Sequence, residues 1–307
     1  MLNAIQFRNL TKIYRAGFWQ RQQLALDSLE LEVPHHCIYG FLGANGAGKT
    51  TAIKMLTGIQ HPSSGTIFLF GEPHFEARSK QRIGYLPERP YFHDNLTANE
   101  FLNFHRSLYG SSLKAKVSKN EELLHIVGLE GTGTKRLRTF SKGMLQRIGI
   151  AQSLVNNPDL LVLDEPTSGL DPIGRIEIRN LIQSLYQQGK TIFFSSHILS
   201  DVELLCHHIA FLEKGKLKAK GSIDEILSQH RPQYYEILFK GIKDAEIQEL
   251  SVLLEATKLA HHSRILAKDP TESKIIAEAI WKKKGEIISI SPQQITLENV
   301  LFADKLQ

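Results

Sequence analysis

HCIYGFLGANGAGKTTAIKMLTGI, running from His36 to Ile59, decides how the rest of this chain is read. Its first part, HCIYGFLG, is a short apolar run that reads as a strand entering a glycine-rich turn. Its last part, KTTAIKMLTGI, reads as a helix with Ile53, Leu56 and Ile59 on one face. Between them GANGAGKT, Gly43 to Thr50, fits G-x-x-x-x-G-K-[ST] in the strand–loop–helix setting that gives the pattern its meaning. Gly43, Gly46 and Gly48 let the backbone curl around Ala44, Asn45 and Ala47 until successive N–H groups face one anion. Lys49 then reaches the β- and γ-phosphates of a nucleotide, and the Thr50 hydroxyl, with Thr51 beside it, is placed to ligate Mg²⁺.

LLVLDEP, Leu160 to Pro166, complements that loop. Its apolar residues make a buried strand ending in Asp164 and Glu165, at the carboxyl edge where open α/β sheets bind ligands. Asp164 suits the Mg²⁺ shell, and Glu165 suits a general base toward an attacking water. His197 closes a third apolar strand, TIFFSSH, and from there can hydrogen-bond a γ-phosphate oxygen. TFSKGMLQRIGIAQS, Thr139 to Ser153, poses a further question. A serine and a glycine at a helix start make an anion-binding N-terminus. The chain therefore carries a second phosphate site in addition to the loop at Lys49.

Strands alternate with helices from IQFRNLTKIY through IAFLEKGKL, which argues for an α/β fold with a parallel central sheet, a P-loop NTPase. A helix-rich, more polar region implies a helical subdomain over about residues 88–158, with a weak patch at GSSLKAKVSKN. The register changes after Gln229. YYEILF, AEIQELSVLLEAT, SRILAK, ESKIIAEAIWKKK, EIISIS and TLENVLFAD read in turn as strand and helix, three times over. The expected division is a nucleotide-binding domain over residues 1–228 and a small α+β domain over 229–307.

Composition narrows the classes further. The 307 residues hold 42% hydrophobic residues, enough for a real core, and carry a formal net charge of +5. The basic residues are scattered, and no basic stretch is interleaved with stacking aromatics. Nucleic acid is therefore not expected as a partner, while an anionic lipid surface nearby is compatible. No run approaches the roughly 18 apolar residues of a membrane span. MLNAIQFRNLTKIY lacks a charged segment followed by an apolar one, so a secretory leader is not expected. Cys37 and Cys206 lie in separate apolar segments and read as reduced core thiols. The pairs His35-His36, His207-His208 and His261-His262 place neighbours on opposite sides of an element, which does not suit chelation of one ion.

With these motifs in order, the chain resembles the ATP-binding subunits of ABC transporters from its start to about Glu225. The resemblance implies that Tyr14 stacks on adenine and that Glu88 of GYLPE, where glutamine is usual, helps to hold Mg²⁺. It makes FSKGM the signature motif, SGLD (Ser168 to Asp171) the dimer-contact loop with Asp171 near nucleotide, and His197 the switch histidine. It also accounts for the second phosphate site. Ser141 and Gly143 would cap ATP held at Lys49 of a partner subunit, in a self-complementary two-fold interface. That partner is an identical copy or a closely related chain.

Phe140, Lys142 and Met144 depart from the usual Leu-Ser-Gly-Gly-Gln, while the phosphate-binding Ser141 and Gly143 remain. Lys142 either adds attraction for an anion or points to water. Both departures, the Phe18-Trp19 loop and the TLENVLF ending look like the bacterial ABC-2 exporter branch. Membership of that branch implies separate membrane-spanning permease subunits, met by RPYFHDNLTANEF. There Tyr91 and Phe92 are either interface anchors or core of the helical subdomain. The implied function is the ATP-hydrolysing motor of an exporter, peripheral on the cytoplasmic face of the inner membrane. The alternative is an ABC-type ATPase acting on nucleic acid or ribosomes. The single motif set and the short span between phosphate loop and carboxylate strand argue against it. A sensor that does not hydrolyse is disfavoured by the presence of Lys49, Glu165 and His197 together.

Overall fold

Two long strands open the chain, β1 (Asn3–Ala16) and β2 (Arg21–Pro34), paired antiparallel from Asn3 opposite Pro34 to Ala16 opposite Arg21. Ile5, Phe7 and Leu10 of β1 are all buried, although the last is out of step with a strict alternation. A register shift between Phe7 and Leu10, with Asn9 at φ +48°, absorbs the extra residue and returns the apolar side chains to one face. β3 (Ile38–Leu42) leads to the phosphate loop, while β4 (Ser64–Leu69) and β5 (Glu72–Pro73) join the first pair in a sheet of order β2-β1-β4-β5. The computed structural model describes residues 3–16, 21–109, 119–228, 234–242, 256–258, 262–292 and 296–301.

A second sheet is built from β3, β6 (Ile83–Leu86), β7 (Leu160–Asp164), β8 (Thr191–Ser196), β9 (His208–Glu213) and β10 (Lys216–Ser222), in the order β10-β9-β3-β8-β7-β6. All neighbours are parallel except β9 and β10. β3, β7 and β8 are buried at every residue, which is why they read as unbroken apolar runs rather than alternations. The two sheets share one core, in which the Phe193 ring lies 5.4 Å from Phe41 and 6.5 Å from Phe7.

Helices fill the connections: α1 (Lys49–Leu56), α2 (Ala77–Lys80), α3 (Ala98–Ser107), α4 (Asn120–Ile126), α5 (Lys142–Ser153), α6 (Pro172–Gln187), α7 (Leu199–Leu205) and α8 (Ile223–Ser228). α1 is shorter than its periodicity suggests. It stops at Leu56, Gly58 turns left-handed at φ +76°, and Ile59 is 59% exposed instead of sharing the buried face of Ile53 and Leu56. α7 likewise ends before the histidines that SDVELLCHH includes. His207 Nδ1 accepts from Ile38 N (3.0 Å), and His208 starts β9. In the helical region, α3 begins at a capping box between Thr97 and Glu100, and Phe101, Leu102, Leu123, Leu124 and Ile148 are buried. The two aromatics of RPYFHDNLTANEF part company there. Phe92 lies 5.5 Å from Phe101, while Tyr91 is 80% exposed.

The chain divides into two compact units, Met1–Asp224 and Glu225–Gln307. The second contains β11 (Tyr235–Lys240), β12 (Ala256–Lys258), β13 (Ser263–Ala267) and β14 (Glu286–Pro292) in an antiparallel sheet of order β12-β13-β11-β14. Two helices join it, α9 (Pro270–Lys282) and α10 (Leu297–Leu301). Ile276 and Ile280 of α9 cover Ile237, Phe239 and Ile265 of the sheet. Asp269 caps α9, its Oδ1 accepting from Thr271 N (2.7 Å) and Glu272 N (2.8 Å). Ala256 and Thr257, the end of the expected helix AEIQELSVLLEAT, pair as strand with β13. The rest of that segment, Phe18, Trp19, His261, most of GSSLKAKVSKN and the end of TLENVLFAD lie outside the described residues. No helix among the described residues is long and apolar enough to cross a membrane.

Candidate functional site

The strand order puts β8 between β3 and β7, so the phosphate loop, His197 and the paired carboxylates leave the same edge of the sheet on adjacent strands. In the loop Gly43, Gly46 and Gly48 all have positive φ. Gly48 (φ +110°) has no alternative, since a Cβ there would stand 2.6 Å from the Ala25 carbonyl oxygen. At Gly46 (φ +80°) a Cβ would meet nothing within 4 Å, so it is the backbone conformation and not crowding that favours glycine there. The loop is braced from behind by Gly215 N, which donates to Ala47 O (2.9 Å).

Lys49 is buried, donates to Gly43 O (2.6 Å), and has its Nζ 3.2 Å from Glu165 Oε1. The lysine–glutamate approach is an ion pair without hydrogen-bond alignment, because Oε1 has no hydrogen-bond partner. The other oxygen, Oε2, lies 2.8 Å from His197 Nδ1. Glu165 itself sits at φ +51°, a left-handed turn that reverses the chain at the end of β7. Ser195 holds this turn in place. Its hydroxyl donates to Asp164 Oδ1 (2.6 Å) and accepts from Glu165 N (2.9 Å).

Asp164 has no exposed surface, and its carboxyl is held above the ordinary carboxylate range, chiefly by burial. Hydrogen bonds from Ser195 and Thr50 oppose that shift, and the neighbouring charges of Glu165 and Glu88 reinforce it. The Thr50 hydroxyl lies 3.4 Å from Asp164 Oδ1, while Oδ2 is buried without a partner. Burial and the charges of Asp164 and Glu88 also raise the Tyr85 phenol above its usual value.

A cavity of about 650 Å³ opens over these groups. Of the residues singled out from sequence, Tyr14, Ala44, Asn45, Gly46, Gly48, Lys49, Thr50, Thr51, Glu88, Glu165 and His197 line it. Tyr14 is tethered by its hydroxyl, which donates to Gln60 Oε1 (2.7 Å). Gly43 and Ala47 shape the loop without lining the cavity, and neither Ser141, Gly143 nor Asp171 reaches it. Ser141 instead caps α5, its Oγ accepting from Met144 N (3.3 Å), and Asp171 caps α6, its Oδ1 accepting from Gly174 N (3.0 Å). Lys142 extends toward the SGLD loop, with Nζ 2.0 Å from where a Cβ on Gly169 would stand. Ser195 escaped the sequence reading because a serine within an apolar strand carries no motif. Its place two residues before His197 was the available signal. Ser168, the first residue of the SGLD loop, also lines the cavity, as do Gln23, Leu24, Ala25, Lys214 and Gly215, which were not singled out.

A parallel sheet with a phosphate loop on one strand, two carboxylates on the next but one and a histidine between them defines a nucleoside triphosphatase of the P-loop class. The model of the ABC transporter family matches residues 26–168. An ABC transporter ATP-binding protein of Synechocystis sp. is 46% identical over 300 residues, covering 97% of this chain and 83% of that protein. The bacitracin transport ATP-binding protein BcrA of Bacillus licheniformis is 44% identical over 234 residues, 75% of this chain and 74% of BcrA. Among solved structures, cbiO1 from Clostridium perfringens, described as part of the ABC transporter complex cbiONQ, superposes with a TM-score of 0.62 at 26% identity. That superposition covers 75% of this chain and 92% of cbiO1. The chain belongs to the ABC transporter ATP-binding proteins, and its activity is ATP hydrolysis.

Proposed function

We propose that this chain is the motor of an exporter of the ABC-2 kind, working as a face-to-face dimer on separate membrane-spanning subunits at the cytoplasmic face of the membrane. The observation that carries the reading is the separation of two phosphate-binding features. Lys49 and the loop glycines line the cavity, whereas the capped N-terminus of α5 at Ser141 and Gly143 does not. A helix start that lies away from the chain's own cavity fits a role on a partner's nucleotide. Bacitracin transport by the relative BcrA and the place of cbiO1 in a transporter complex support a transport role.

Within each cavity, Lys49 and the loop amides would hold the β- and γ-phosphates, and Tyr14 would stack on the base. Glu165, held by Lys49 and His197, is the group positioned to take the proton of the attacking water. His197 would hydrogen-bond the γ-phosphate. Thr50, Asp164 and Glu88 fit a Mg²⁺ ion, since Asp164 Oδ2 is a buried oxygen without a partner beside a hydroxyl. When bound, the ion would neutralise charge on the phosphates.

The test mixes two inactive variants. Ser141→Ala/Gly143→Asp lacks the helix-start half-site, and Lys49→Ala lacks the loop half-site. Each alone is inactive, and a mixture regains turnover in the one competent cavity that a mixed dimer contains. Failure of the mixture to recover, together with full-rate hydrolysis by monomer, refutes the shared site. Glu165→Gln is expected to bind ATP, dimerise and hydrolyse at least about 100-fold more slowly.

A further inference from the structure

Three segments meet at a buried carboxylate that none of the motifs includes. Asp201 lies in the first turn of α7, four residues after His197, and is only 3% exposed. Both of its oxygens are engaged. Oδ2 accepts from the Thr167 hydroxyl (3.0 Å), and Oδ1 accepts from Arg179 Nη1 of α6 (3.0 Å). Thr167 is itself buried at 3% exposure and stands two residues after Glu165, at the start of the loop that continues through Ser168 to Asp171.

The turn bearing His197 and the loop following Glu165 are thus fastened at two points. One is the Glu165–His197 contact in the cavity, and the other is the Thr167–Asp201 hydrogen bond behind it. A single contact between two segments leaves a hinge, whereas two contacts leave none. A carboxylate placed there without its partners would be strongly unfavourable, so the arrangement specifies all three segments together.

We propose that Asp201 is a positioning residue for ATP hydrolysis: it fastens the Thr167–Asp171 loop to the turn that bears His197, so that the two move as one body. This rests on the face-to-face reading, in which that loop meets the partner. A displacement of His197 at one nucleotide is then carried directly into the dimer-facing loop, and loop contacts made by the partner hold His197 and Glu165 in register.

Thr167→Val removes the hydroxyl while keeping size and the Asp201–Arg179 pair, so it is the primary variant in the purified full chain. Its kcat for ATP should fall about tenfold with KM changed less than about twofold, the pattern of lost positioning rather than lost binding. Asp201→Ala on the parent chain should lower kcat at least as much, and combined with Thr167→Val the loss should fall well short of the product of the two single losses, because both remove the same Thr167–Asp201 contact. A kcat for Thr167→Val within about twofold of the parent overturns the proposal, as does full additivity of the pair. The Glu165→Gln chain separates this from the underlying reading. If it fails to dimerise with ATP, the face-to-face arrangement fails. If it dimerises while Thr167→Val turns over at the parent rate, only the positioning role fails.

Discussion

Asp164→Asn should make the nucleotide-free chain more stable while removing its ATPase activity. The carboxylate has no exposed surface, its Oδ2 lacks any partner, and Glu165 and Glu88 add like charge. An effective cost of several kcal/mol is typical of a buried charge so placed, offset here by the Ser195 and Thr50 hydrogen bonds. Asparagine keeps an oxygen for Ser195 and leaves an unpaired amide donor at the Oδ2 position, which costs about 1–3 kcal/mol. The difference favours the variant by about 1–3 kcal/mol, or a rise of roughly 2–12 °C in Tm for a unit of this size.

The pH dependence gives an independent check. A carboxyl whose folded pKa is raised binds more protons folded than unfolded, so stability falls as pH rises from the ordinary carboxylate value through the raised one. Above that window the parent carries the full penalty, and the variant lacks this component throughout. The assay is thermal unfolding in EDTA at neutral pH and again near pH 4.5, followed by ATPase measurement with Mg²⁺. A variant that melts below the parent at neutral pH, or a gap that widens on acidification, would refute the account of Asp164.

Gly48→Ala forces a Cβ to 2.6 Å from the Ala25 carbonyl oxygen at φ +110°. It should destabilise the chain by about 1–3 kcal/mol and abolish ATP binding, as read by urea unfolding and by titration with a fluorescent ATP analogue. Ser195→Ala leaves Glu165 N–H without its acceptor, so a loss of about 1–3 kcal/mol in the same urea assay is expected, with reduced turnover. Burial pushes the Cys37 thiol up to about 12 and the Cys206 thiol well above its usual value. Iodoacetamide at pH 8 should therefore leave both unlabelled in the folded chain and label both in urea, and rapid labelling without denaturant would contradict their burial.

What could be read from sequence was what is local in sequence. GANGAGKT, Asp164-Glu165 and His197 announce themselves because each motif is a few residues long and is flanked by an apolar strand. The two sheets were not separable in this way. β1, β2 and β4 alternate or run apolar like the other strands, and only long-range pairing, such as Phe7 opposite Ile67, assigns them to a sheet of their own. Ile59 matched a helical face that ends before reaching it, since Gly58 can leave the helix in a way that periodicity does not register. Ser195 and Asp201 are ordinary in sequence, and their importance lies in partners 31 and 34 residues away.

Glu165 occupies a left-handed backbone conformation that glycine tolerates freely and a branched chain does not. Holding it there costs about 1–3 kcal/mol, which the rest of the fold must absorb. Laboratory evolution toward heat resistance, run with no demand for transport, would therefore be expected to drift toward Gly or Asn at this position. Such survivors would be hardier and inert. Restoring the demand should bring the acid back, and the mutational tolerance of this one position would then report whether the machine is in use.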